Sequence, residues 1–245
     1  MKKFFRIPAL ATALGLLVVA AFAAAPASAQ NPPQDPGEAW GALMQAGTQA
    51  YGLAQIDVAR EKYAAAMVIA DENFAEDDPR LLATLINFAP TLRAAGESAA
   101  AAEMLERGVA LEIALYGEDH PDLMSQYPVL AAIYKDIDDY DRALELYRRS
   151  IDLMVRYYGE MHPRTVTLRE YLATSLYEAG QPDQALELFG QVVLEWEQAL
   201  GPSHIRQSVS YAGYAQMLEM AGRTEEAAAA QARSREIVIA WENRR

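Results

Sequence analysis

The sequence contains no cysteine. That excludes a disulfide scaffold, a thiolate metal site, a cysteine nucleophile and any lipid-modified cysteine. Positive charge is scarce: 21 basic residues stand against 34 acidic ones, for a formal charge of −13. Nucleic acid binding needs clustered Lys and Arg to neutralise phosphates, so the balance argues against DNA or RNA as the main partner. No stretch shows a convincing strand alternation. Beyond Ala29 no apolar run is long enough to span a membrane. Disorder is excluded as well, because 52% of the residues are hydrophobic.

What is present begins with a leader. Lys2, Lys3 and Arg6 form a positive start, and an apolar stretch runs from about Ile7 to Ala25. Ala27-Ser28-Ala29 then reads as a small-x-small cleavage site, so residues 1–29 are expected to be a secretory signal peptide of bacterial style. A membrane anchor is the weaker alternative, since the stretch is only marginally long enough to span. Cleavage would leave a chain that starts at Gln30, located in the periplasm or outside the cell. It would remove three positive charges and no negative ones, which makes the chain more acidic still. Residues 30–38 (QNPPQDPGE) hold three prolines and no apolar side chain, the composition of a short extended linker. From residue 39 to 245 the pattern is helical, dominated by Ala, Leu, Glu and Arg.

A fixed period runs through this region. His120, His162 and His204 stand at a constant interval of 42, and Gly117, Gly159 and Gly201 keep the same interval. YGEDHP recurs as YGEMHP and decays to LGPSHI, while one period earlier FAEDDP puts Asp78 in the histidine position. Ala59, Ala101, Ala143, Ala185 and Ala227 share one slot. Twelve residues before each stands Gly47, Ala89, Ala131, Ala173 or Ala215. Tyr63, Leu105, Tyr147 and Phe189 fill a bulky slot, and Phe88, Leu130, Leu172 and Tyr214 another. Such a period means stacked units, each a helix, a tight turn and a second helix, with small residues where helices approach most closely. Gly96, Gly180 and Gly222 suit the left-handed residue that ends a helix; Ala54 and Asp138 hold that place in two units. The proline after histidine suits the first turn of the next helix.

These residues resemble tetratricopeptide repeats, in the longer 42-residue form of kinesin light chains. The resemblance covers units 39–73, 79–115, 121–157, 163–199 and 205–243. The last departs as a terminal cap would, with Gln231 for the aromatic and Ile205 for the proline. It implies an all-α fold, a right-handed α-solenoid of about five antiparallel helix hairpins. The first helices would line a concave groove that takes a peptide or helix of a protein partner. It also implies a protein that is not an enzyme and carries no cofactor. The two-lysine, two-asparagine clamp of chaperone-binding members is missing, since Met44 and Thr48 stand where it would begin.

By the same geometry one groove slot holds Tyr51, Arg93, Lys135, Tyr177 and Glu219, and its neighbour Thr48, Pro90, Ala132, Thr174 and Gln216. The candidate partner-binding residues are Tyr51, Arg93, Lys135, Tyr177, Thr174 and Gln216. Arg and Tyr are what recognition surfaces use, so a partner segment with a carboxylate and an apolar or proline anchor would suit. The bland alternative is a solvated face whose Lys and Arg pair with acids one turn away. Pro90 and Pro128 fall inside first helices, where proline kinks or breaks the helix and would reshape the groove.

No catalytic residue or metal site is expected. The histidines fall in equivalent loops one repeat apart and do not converge, whereas zinc needs three or four ligands at about 2 Å; a loop or cap role follows. Asp136, Asp138, Asp139 and Asp141 cluster on a turn without the glycine of a calcium loop. The expected function is a non-enzymatic scaffold or adaptor of the bacterial envelope. It would bind an exported protein, with no nucleic acid and no membrane span after cleavage, as a monomer or weak homo-oligomer. The alternatives are a self-assembling envelope protein using Ile237, Val238, Ile239 and Trp241, or a cell-wall carbohydrate binder using Trp40, Trp196 and Trp241.

Overall fold

Alanine-rich amphipathic segments separated by short turns can bury their apolar stripes only against one another. The computed structural model describes residues 35–244 and shows that solution. The leader and most of the linker lie outside the described residues. Five hairpins follow in order. They are α1 (Pro36–Gly52) with α2 (Ile56–Asn73), α3 (Pro79–Ala94) with α4 (Ser98–Tyr116), and α5 (Leu123–Asp136) with α6 (Tyr140–Tyr158). Then come α7 (Pro163–Glu178) with α8 (Pro182–Leu200), and α9 (Ile205–Met220) with α10 (Thr224–Glu242). No strand occurs among the described residues. The two helices of each hairpin pack together, and each second helix packs on the first helix of the following hairpin, so one apolar core runs from Ala50 to Ala230.

The small-residue slots sit at the closest approaches. Ala59, Ala89, Ala101, Ala131, Ala143, Ala173 and Ala185 have no exposed surface at all. The bulky slot beside them, Tyr63, Leu105, Tyr147 and Phe189, is buried as well. At the turn inside each hairpin the chain takes a left-handed residue. Gly96, Gly180 and Gly222 have φ of 82°, 77° and 78°, and the two exceptions, Ala54 and Asp138, adopt 56° and 60°.

Between hairpins, a side chain caps the incoming helix. Asp78, His162 and His204 accept hydrogen bonds from the backbone N–H of Arg80, Arg164 and Arg206 at 2.8, 3.2 and 3.2 Å. Pro79 and Pro163 take the first helical position, as expected, and Ile205 takes it in the last hairpin.

Three details differ from the sequence reading. First, α1 begins at Pro36, inside the expected linker, because Asp35 accepts from Gly37 N–H at 2.9 Å and Pro36 supplies the first helical position. Second, Pro121 does not open a helix: α5 starts at Leu123, and His120 does not cap it. Third, Pro90 and Pro128 do not break their helices; α3 and α5 run through them as single elements.

Candidate interaction surface

The first helices of neighbouring hairpins approach each other directly, α1 with α3 and α3 with α5. In a curved stack, elements that meet across a repeat lie on the inside of the curve. The face presented by the odd-numbered helices is therefore the concave one.

Along this face a ladder of ion pairs links successive hairpins. Arg93 Nε lies 2.6 Å from Asp136 Oδ2, with Nη2 3.3 Å from Oδ1, a two-pronged contact from α3 to α5. Lys135 Nζ lies 2.7 Å from Glu178 Oε2, from α5 to α7. Both cations occupy the last turn of their helices, where the helix dipole favours positive charge. Each acid follows its cation by one repeat plus one residue. Arg93 and Lys135 are thus neutralised within the solenoid rather than held out as free cations. The acids that do this, Asp136 and Glu178, were not among the sequence candidates. The signal for them was that offset between a cation and an acid, repeated twice.

The ladder ends where the tyrosines begin. Tyr51 is exposed, and Tyr177 is half-buried against the core. Thr174 Oγ1 donates to the Glu170 carbonyl in its own helix at 3.0 Å, which consumes its donor. Gln216 is exposed on α9. In the first hairpin Thr48 Oγ1 lies 2.9 Å from the Tyr63 hydroxyl, which fixes that ring. In α3 and α5 the floor positions that precede the ladder on this face are uncharged, among them Ile86, Asn87, Pro90, Pro128, Val129 and Ala132; in α7 the same register holds Glu170. The proline rings belong to this floor and are half-buried.

A second set of polar contacts is structural. Arg169 reaches Glu195 at 2.8 Å, with side chains only 14% and 16% exposed. Arg206 bonds Glu170, and its guanidinium lies 4.9 Å over the Trp196 ring. Trp196 is buried, and Trp40 Nε1 donates to Thr84 Oγ1 at 2.8 Å, so neither indole is presented as a stacking platform. Asp139 caps α6 through Arg142 N–H, and the Arg142 guanidinium beside it holds its carboxyl below the ordinary carboxylate range. Burial pushes the Tyr147 phenol up to about 12.

A stack of two-helix units of this kind defines a helical-repeat scaffold. Tetratricopeptide repeat models match residues 81–122, 123–193 and 166–240, which together cover more than half of the chain. The chain belongs to the tetratricopeptide repeat family. Among solved structures it resembles a kinesin light chain-type protein of Podosopora anserina with nearly identical TPR-like repeats. The TM-score there is 0.74 at 22% identity, over 84% of this chain and 97% of that one. It also resembles BtubC from P. vanneervenii, with a TM-score of 0.62 at 18% identity over 86% and 93% of the two chains. The MamA protein follows at 0.57 and 19%, over 82% and 92%. At these identities the likeness is one of fold. No match is found among curated proteins. The family's fold is that of a protein–protein interaction scaffold and is in general not enzymatic. No described helix is long and apolar enough to cross a membrane.

Proposed function

We propose that this chain is an exported, non-enzymatic adaptor of the bacterial cell envelope that holds a peptide or helix of another exported protein in its concave groove. The observation that carries the groove reading is the contrast between floor and ladder. Arg93–Asp136 and Lys135–Glu178 pair the two inner-face cations within the protein, and uncharged side chains such as Pro90, Val129 and Ala132 lie beside them in the sequence register. A segment with apolar or proline side chains can settle there without stripping water from an unpaired charge. An acidic anchor, by contrast, would have to displace Asp136 or Glu178. The partner chemistry is therefore apolar first, with Tyr51, Tyr177, Thr174 and Gln216 at its margins. Export rests on Lys2, Lys3, Arg6, the apolar run and Ala27-Ser28-Ala29.

A photo-crosslinking residue at Tyr177, a second at Lys135 and an outward-facing control at Arg149 test this in the native envelope. A discrete adduct from the groove sites and none from Arg149 is the expected result. Equal labelling from all three removes the groove from consideration. An N-terminus at Gln30 in the recovered protein tests export.

A second reading has its own observation. The last hairpin leaves Val209, Met220 and Ile239 exposed by 51%, 48% and 57%. End-to-end association of two copies would cover such side chains. Mass in solution at rising concentration separates the two readings.

A further inference from the structure

One repeat departs from the others at three positions that meet in space. Near the end of the second helix the equivalent residues are Ala70, Met154, Trp196 and, in α4, Glu112. Two residues past the capping position stand Arg80, Arg164 and Arg206, but Asp122 in the third hairpin. His120 occupies the place from which Asp78, His162 and His204 cap a helix, yet it has left that duty. Its Nδ1 lies 2.5 Å from Glu112 Oε1.

Glu112 is the unusual group. Its side chain is 2% exposed, and a buried carboxylate is strongly unfavourable without a counter-charge. Among the described residues no lysine or arginine bridges it; its partners are His120 and Gln126, whose Nε2 donates to Glu112 Oε2 at 2.7 Å. Gln126 is itself only 5% exposed, and its Oε1 has no hydrogen-bond partner. Asp122 lies on the open side. Ligand atoms of Glu112, His120 and Asp122 fall within 4.8 Å of one another, the one such group among the described residues. The loop before them adds Glu118 and Asp119, of which Asp119 pairs with Arg156.

We propose that Glu112, His120 and Asp122 bind one divalent transition-metal ion, zinc in the first place. An imidazole beside two carboxylates suits zinc better than magnesium or calcium, which prefer all-oxygen shells. Three protein ligands leave a fourth, tetrahedral position for water. The ion takes the place of the direct contact between His120 Nδ1 and Glu112 Oε1. Bonds of about 2 Å at tetrahedral angles set ligand separations of about 3.3 Å, so the His120–Glu112 contact opens and Asp122 draws in. Gln126 is a positioning residue that orients Glu112 through its amide. The bound ion ties the end of α4 to the start of α5, so it stiffens the joint between the second and third hairpins.

Zinc chloride alone is titrated into the full chain against a chromophoric chelator, with magnesium and calcium as competitors. Cobalt is then substituted and its visible spectrum read. One ion per chain, a four-coordinate cobalt band and no competition by magnesium or calcium are expected. Glu112→Gln and His120→Asn abolish binding. Asp122→Asn, an exposed change that leaves the core untouched, weakens it, and Gln126→Leu weakens it by about 10–100-fold. His162→Asn and His204→Asn leave it unchanged. Lack of one-to-one binding by the folded wild type overturns the proposal. So does binding that survives His120→Asn or is insensitive to Asp122→Asn.

Discussion

Replacing Gly47 with alanine should weaken the first hairpin, although alanine is the better helix former. A Cβ at Gly47 would stand 3.0 Å from three carbons of the Tyr63 ring. Comfortable carbon contacts lie at about 3.5–4.0 Å, so the ring would have to retreat by roughly half an ångström or more. Tyr63 has little freedom to do so. It is 2% exposed, its ring is tilted against Phe88 with centroids 6.2 Å apart, and its hydroxyl is held by Thr48. Overpacking of this kind costs about 1–3 kcal/mol, and the helix propensity regained is about 1 kcal/mol. The net expectation is a loss of about 1 kcal/mol. Gly41→Ala is the control, since nothing lies within 4 Å of its Cβ position in the same helix. It should gain about 1 kcal/mol, which sets the two variants about 2 kcal/mol apart. Urea unfolding followed by circular dichroism, and by Trp40 fluorescence as a reporter within α1, measures both. A Gly47→Ala protein as stable as Gly41→Ala would refute the argument that close contact with the aromatic slot restricts this position to the smallest residues.

Other perturbations test other parts of the structure. The Tyr147 phenol is raised from 10.0 to about 12, so its neutral form is favoured in the folded state. That stabilisation is complete below pH 10 and fades as pH rises towards 12, by on the order of 2–3 kcal/mol in all. Tyr147→Phe should flatten this alkaline loss in urea unfolding; parallel curves would contradict the assignment. Ala54→Gly should stabilise by about 1 kcal/mol in thermal or urea unfolding, because alanine at φ 56° is strained and glycine is not. Arg169→Ala should cost about 2 kcal/mol by leaving the half-buried Glu195 carboxylate unpaired, and a change below about 1 kcal/mol would mean that water solvates it. Pro90→Ala and Pro128→Ala should lower affinity for the crosslinked partner while stabilising their helices by up to about 3 kcal/mol; unchanged affinity would remove the proline rings from the groove's function.

The hairpins were legible because their signals are local and repeated. The histidine-proline step, the left-handed glycines and the two small-residue slots all recur at one interval, and the last four hairpins, α3–α4 to α9–α10, lie within a residue or two of the expected bounds. Where composition is read over a local cue, the linker's end is misplaced: composition assigns residues 35–38 to it, but Asp35 and Pro36 together form a helix start. The groove was legible as a row of positions and not as a charge pattern. Arg93 and Lys135 were readable as cations; their neutralisation by Asp136 and Glu178 depends on how far one hairpin is offset against the next.

By itself, then, the sequence determined the period, the helix pairing and the sites of closest packing, because each rests on side-chain size and backbone preference within one unit. Only the tertiary structure decided which charges meet. Glu112, His120 and Asp122 come together through the late start of α5, and the ladder through the stacking of odd-numbered helices. Electrostatic pairing acts across units at distances of a few ångström, and superhelical offset, rather than spacing along the chain, sets those distances.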